Sequence, residues 1–188
     1  ASTGAVDLAA RLEGEGDRFT LSDLAGIFAG LRLDGDLRVD LRRALASLDP
    51  QVRGTISLSE LDISQISDLL LGADQLAAST GGTWSEAAFG PPVVSGVDLS
   101  LDVGAQRMVL APLPPASNVT ARVSMKDDAL SIDVGKAGFA GGELTGAYTL
   151  KRSAGQAGMT ASLRVDGARL EELVWRRAAL PLATGAAS

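Results

Sequence analysis

The side chains able to do chemistry in this chain are almost all carboxylates and their basic counterparts. There is no histidine and no cysteine. That removes the usual general base, the usual neutral-pH switch, thiol nucleophiles, disulfides and thiolate zinc sites together. What remains is Asp127-Asp128, Glu171-Glu172 and the spaced set Asp34, Asp36, Asp98 and Asp102. Two carboxylates converging in a cleft could cleave a glycosidic bond, and a tight oxygen cluster could hold calcium. The spacing argues against both. Aspartates two residues apart on a strand share one outward face, as a solvated surface requires. Asp127-Asp128 reads as a hairpin turn, and Glu171-Glu172 as a solvated helix face. No glycine-rich loop between strand and helix precedes a lysine, so nucleotide binding has no support. Asn118-Val119-Thr120 matches a glycosylation acceptor, which means little if the protein is bacterial. The expectation is therefore no catalytic residue, no metal site and no cofactor.

The formal charge is −6, and no basic cluster could track phosphates, so nucleic acid is not an expected partner. The same sign disfavours electrostatic attachment to anionic headgroups. No run approaches the roughly 18 apolar residues of a membrane span, and no charged segment with a following apolar run opens the sequence. The piece is expected to be soluble. A strand pattern already running at Val6 reads as the interior of something longer.

The elements carrying these side chains are mostly strands. Period-two alternation, the mark of a half-buried strand, covers Val6 to Leu12, Phe19 to Leu21, Leu31 to Leu41 with Gly35 inserted, and Val52 to Leu58. It returns in Val97 to Val103, with Met108, Leu110 and Pro112 read as a separate return strand. Val119 to Met125, Leu130 to Val134, Phe139 to Leu150 and Met159 to Val165 follow. One segment has helical spacing instead: Ile63, Ile66, Leu69, Leu70 and Ala73, with Ser64 as cap. A second short helix is expected over 168–175. The loop between 77 and 95 is punctuated by Gly81-Gly82 and Pro91-Pro92. It carries Trp84, which with Trp175 reads as a packing anchor or an interface residue.

Two segments match at an offset of 111 residues: Phe28-Ala29-Gly30-Leu31-Arg32-Leu33-Asp34-Gly35 and Phe139-Ala140-Gly141-Gly142-Glu143-Leu144-Thr145-Gly146. Both read F-A-G-x-x-L-x-G. A second block, 61–70, matches 165–174 at an offset of 104. The predicted order in each unit is meander, glycine bend, hairpin, short helix, and such units stack into arrays. The division is 1–63 as the end of a preceding β-repeat, 64–76 a short helix, 77–95 a loop, 96–176 a second β-repeat ending in a short helix, and 177–188 a tail or the start of the next repeat. The expected fold class is mainly β: antiparallel meander repeats forming a strongly curved, twisted β-groove sheet, with short amphipathic helices between repeats.

The run from Trp84 to Trp175 resembles the C-terminal β-region of AsmA-like proteins. The resembling features, in order, are V-D-L-S-L-D-V (97–103), R-M-V-L (107–110), A-L-S-I-D-V (129–134), F-A-G-G-E-L-T-G-A-Y-T-L (139–150) and A-S-L-R-V-D-G-A-R-L-E-E-L (161–173). R-G-T-I-S-L-S-E-L-D-I (53–63) resembles the close of a preceding unit. The resemblance implies a non-enzymatic envelope protein held in the inner membrane of a Gram-negative bacterium by an N-terminal helix that this sequence lacks. It implies a periplasmic β-region linked to outer-membrane biogenesis and phospholipid transport. Larger relatives form long grooves lined with apolar side chains, and the family carries no catalytic motif.

One apolar face per strand can be plain core or the lining of an acyl-chain groove. As a lining, the candidates are Val97, Leu99, Leu101, Val119, Val123, Leu130, Ile132, Val134, Leu144, Leu163 and Val165. The expected partner is a phospholipid or other acyl-chain lipid. The competing expectation is a structural scaffold that docks an envelope assembly partner. Exposed strand edges also predict edge-mediated self-association of the piece.

Overall fold

The structure, a computed structural model, describes residues 6–28, 31–41, 49–71, 96–110, 113–153, 156–173, 176–177, 180–181 and 186–187. Nine long strands carry it: β1 (Val6–Glu15), β2 (Arg18–Phe28), β3 (Leu31–Asp40), β4 (Gln51–Asp62), β5 (Asp98–Val109), β6 (Ala116–Lys126), β7 (Ala129–Phe139), β8 (Gly142–Ser153) and β9 (Gln156–Asp166). They form one sheet in sequence order, mainly an antiparallel meander, and the sheet is not closed. Among the described residues helix is minimal: α1 (Ile63–Leu71) and the four-residue α2 (Leu170–Leu173).

Three expectations need correction. The meander has one parallel step, between β4 and β5, where Val52 pairs with Leu99 and Leu58 with Ala105. A parallel neighbour requires a crossover, and α1 begins it. The expected return strand at Met108–Pro112 is not separate, because β5 runs unbroken to Val109. Its apolar alternation changes phase after Ala105, and that phase change imitates a turn in the sequence. The helix expected over 64–76 starts one residue earlier and is described to Leu71, with 72–76 outside the described residues. The loop at 77–95, Trp84 and Trp175 also lie outside them, as does most of the 177–188 tail.

The phase change runs across the sheet. Buried or half-buried apolar positions step by three instead of two at Leu58/Leu61, Ala105/Met108, Ala116/Val119 and Val134/Ala137, on four successive strands. Leu21/Leu24 makes the same step on β2, at a register shift against β3. Asp23 and Asn118 take positive φ, 54° and 50°, inside two of these steps. Aspartate and asparagine tolerate that conformation better than most residues.

α1 starts at a cap supplied by Asp62, not Ser64. The Asp62 carboxylate accepts the Ser64 N–H at 2.9 Å and the Gln65 N–H at 3.3 Å, two of the donors a helix start leaves unpaired. Its apolar side faces the sheet, with Leu70 and Leu71 fully buried and Ile63 and Ile66 packed against the same core.

Candidate functional site

Directly paired residues in a sheet put their side chains on the same face, so register assembles the apolar face strand by strand. One row runs Leu12, Leu21, Leu37, Gly54, Leu101, Val123, Ile132, Tyr148, Ala161. A second runs Gly14, Phe19, Val39, Val52, Leu99, Met125, Leu130, Leu150, Met159. A third passes Gly35, Ile56, Val103, Ala121, Val134, Gly146 and Leu163. One face of the sheet is therefore apolar from β1 to β9. At about 4.8 Å per strand, that is a width of about 38 Å.

All eleven candidate residues are on described segments. Leu99, Leu101, Val123, Leu130, Ile132, Val134 and Leu163 lie in these three rows, Val119 in the Leu33–Leu58–Ala105–Val119 row beside them, and Leu144 and Val165 pair with each other next to Ala137. Their environments differ. Val119, Val123, Leu130, Ile132, Val134 and Leu144 are buried; Val97, Leu99, Leu101 and Val165 are half-buried; Leu163 is exposed. Sequence reading missed the partners in the β1–β4 half, Phe19, Leu21, Leu37, Val39, Val52 and Ile56. Their alternation is equally clear, and cross-strand register would have united them with the rest.

It also missed what holds α1 down. The buried Ser67 hydroxyl donates to the Ile63 carbonyl at 2.7 Å and shares a 2.8 Å hydrogen bond with the Tyr148 hydroxyl. Tyr148 stands in the middle of the apolar row, so a polar tip is presented where neighbours are aliphatic. The Arg152 guanidinium donates to the Leu70 carbonyl at 3.1 Å, closing the helix C-terminus. α1 thus lies on the apolar face over β7 and β8.

Beyond the end of α1, a cavity of about 270 Å³ opens between Leu70, Val97, Met125 and three aspartates, Asp49, Asp127 and Asp128. Its three carboxylates make this opening unfavourable for an anion. Asp127 and Asp128 have φ of 49° and 56° and form the β6–β7 turn.

The opposite face is polar. Arg122 meets Asp102 at 2.7 Å, Lys136 meets Glu143 at 3.2 Å, and Arg107 meets Glu60 at 3.5 Å, all exposed except the half-buried Glu60. A shallow concavity of about 810 Å³ there is lined by Thr55, Ser57, Asp102, Thr120, Arg122 and Asp133 among others. Asp34 and Asp36 are exposed, and Asp36 accepts the Asp23 N–H at 3.2 Å. Glu172 pairs with Arg169 at 3.2 Å. Among the described residues no group of three or more acidic side chains could hold a metal ion. No helix among them is long and apolar enough to cross a membrane.

No protein-family model matches the chain, and no curated protein or solved structure matches it.

Proposed function

We propose that the chain is a non-enzymatic, lipid-binding or lipid-conducting segment of a larger β-array, on whose apolar face acyl chains lie. The supporting observation is the apolar face that register carries without interruption from β1 to β9. An acyl chain gains about 0.8 kcal/mol per buried methylene, and a lining of Leu, Val, Ile and Met makes no directional bond that would stop it sliding. In this reading the β1–β4 half, where Phe19, Leu21, Leu37, Val39, Val52 and Ile56 are only half-buried, receives the acyl chain, and α1 takes its place over β7 and β8. The setting proposed is the periplasm of a Gram-negative bacterium, with the full protein held in the inner membrane by a helix outside this sequence. The role is outer-membrane biogenesis or phospholipid transport, in keeping with the AsmA-like pattern of the sequence.

Lipid extraction and mass spectrometry of the purified protein test this, beside a Leu37→Asp/Leu101→Asp variant. Both positions are half-buried, so charge there is tolerated better than at buried Ile132. Phospholipid recovered with the native chain and lost in a folded variant is the expected result. Equal recovery from both contradicts it.

One observation favours a second reading. Six of the eleven candidate lining residues are packed away, as in a scaffold whose apolar face is ordinary core. A native protein free of lipid, and indifferent to added lipid, would select that reading.

A further inference from the structure

Among the described residues β1 and β9 each pair with one strand only, and exposed apolar residues gather on them. Among the described residues the large hydrophobics most open to solvent are Leu8, Leu12, Ile27, Leu113, Met159 and Leu163. Four of these six lie on the two edge strands, β1 and β9. Unpaired edges of this kind are templates for strand addition.

We propose that β9 of one copy pairs with β1 of the next, so that the chain assembles head to tail into a continuous sheet. Three features of the fold specify this partner.

The first is strand direction. Seven of the eight neighbour relations are antiparallel and one, β4–β5, is parallel. An odd number of reversals leaves β9 antiparallel to β1. A second copy placed beside β9 in the same orientation therefore presents β1 antiparallel, with its apolar face on the same side. Without the parallel step, that contact would be parallel.

The second is size. Continuing each row straight across sets Met159 opposite Gly14, Ala161 opposite Leu12, Leu163 opposite Ala10 and Val165 opposite Leu8. In the first three pairs a large side chain meets a small one, and the fourth joins two aliphatic residues. Leu12, the most exposed of the six at 64%, gains the space above Ala161.

The third is charge on the other face. Glu13 falls opposite Thr160 and Arg11 opposite Ser162, so neither meets a like charge. Asp7 meets Asp166, whose carboxylate is already bonded to Arg164 at 2.8 Å.

The contact is heterologous, so it propagates rather than closing on a dimer. It does not depend on lipid binding. It would lengthen the apolar face with each added copy.

The test is sedimentation velocity over a concentration series, with two edge variants, Leu12→Lys on β1 and Leu163→Lys on β9. The native chain is expected to form a ladder of species. Each variant alone should be monomeric, and an equimolar mixture should yield a 1:1 dimer, because each variant retains the edge the other has lost. That rescue also shows both variants to be folded. Since the chain has no cysteine, Leu12→Cys and Ala161→Cys chains give an independent reading. Mixed under mild oxidation, they should cross-link to each other and not to themselves. A native chain that stays monomeric, a mixture that does not dimerise, or cross-linking of Leu12→Cys to itself overturns the proposal.

Discussion

The β2–β3 and β7–β8 hairpins are built alike and covered differently. In each, a Phe-Ala-Gly segment leads from one strand to the next, with Phe28 paired to Leu31 and Phe139 to Gly142. In each, the chain leaving the second strand is tied to the turn before the first. The Leu41 N–H donates to the Asp17 carbonyl at 2.8 Å, and the Arg152 N–H to the Asp128 carbonyl at 2.9 Å. Position for position, Leu21 corresponds to Ile132, Leu37 to Tyr148 and Leu41 to Arg152. Ile132 is 1% exposed, whereas Leu21 is only half-buried. The difference is α1. Polar ties from it to the sheet end on Tyr148 and Arg152, and the first hairpin has leucine at both places. Apolar burial makes a helix adhere to a sheet but does not say where. Two directional bonds favour the hairpin that carries their partners.

The two hairpins should differ most at Ile132 and Leu21. Ile132→Asp places an unpaired charge in packed core and should cost more than about 4 kcal/mol, enough to unfold the covered half. Leu21→Asp, at the matching half-buried position, should cost about 1–2 kcal/mol because water reaches the carboxylate. Urea titrations followed by circular dichroism measure both. Near-equal losses would mean that the two halves are covered alike.

A sharper form exchanges the anchors. Tyr148→Leu with Arg152→Leu gives β8 the residues of β3, removing two hydrogen bonds worth together about 2–3 kcal/mol. Hydrogen exchange of the α1 amides should quicken by about 30- to 100-fold while β1–β3 amides are unchanged. If α1 stays protected, apolar packing alone positions it.

The cap contributes less. Asp62→Ala should lower stability by about 1 kcal/mol, read as a fall in Tm, and Asp62→Asn should restore most of it. Asp166 ends β9 as Asp62 ends β4, yet it pairs with Arg164 on its own strand, and the helix that follows has only four residues.

The smallest effect concerns that pair. The hydrogen bond from Arg164 holds the Asp166 carboxyl below its ordinary value. A depressed folded value contributes stability above the unfolded carboxylate pKa of about 3.9, lost as pH falls through the folded value. The pair is exposed, so the contribution is small. Native and Asp166→Asn proteins should differ slightly in Tm at pH 7, the gap closing as pH drops below about 4. A gap that widens in acid would contradict the assignment.

Strand positions were legible because alternation is local: Val119 to Met125 and Leu130 to Val134 read directly as β6 and β7. The parallel β4–β5 step was not legible, because strand neighbours are chosen by long-range packing and no residue type encodes direction. The false break in β5 came from the three-residue step at Ala105/Met108, which period-two counting takes for a strand end. Gly35 signalled a constraint that only the sheet explains. Its φ is 155°, and a Cβ there would collide with the Thr55 carbonyl oxygen on β4. For the candidate site, the apolar face was legible as a pattern on each strand, but not which part is covered. That depends on Tyr148 and Arg152, whose roles exist only once α1 is folded over them.

The central claim is that an acyl chain lies on the apolar face of the β1–β4 half. Methyl NMR with a doxyl-labelled fatty acid tests it most directly, because paramagnetic broadening reports proximity site by site. The account predicts broadening of Leu21, Leu37, Val39 and Val52 methyls, with Ile27 on the polar face unaffected and Ile132 beneath α1 much less affected. Broadening at Ile27, or none anywhere at saturating lipid, would contradict it.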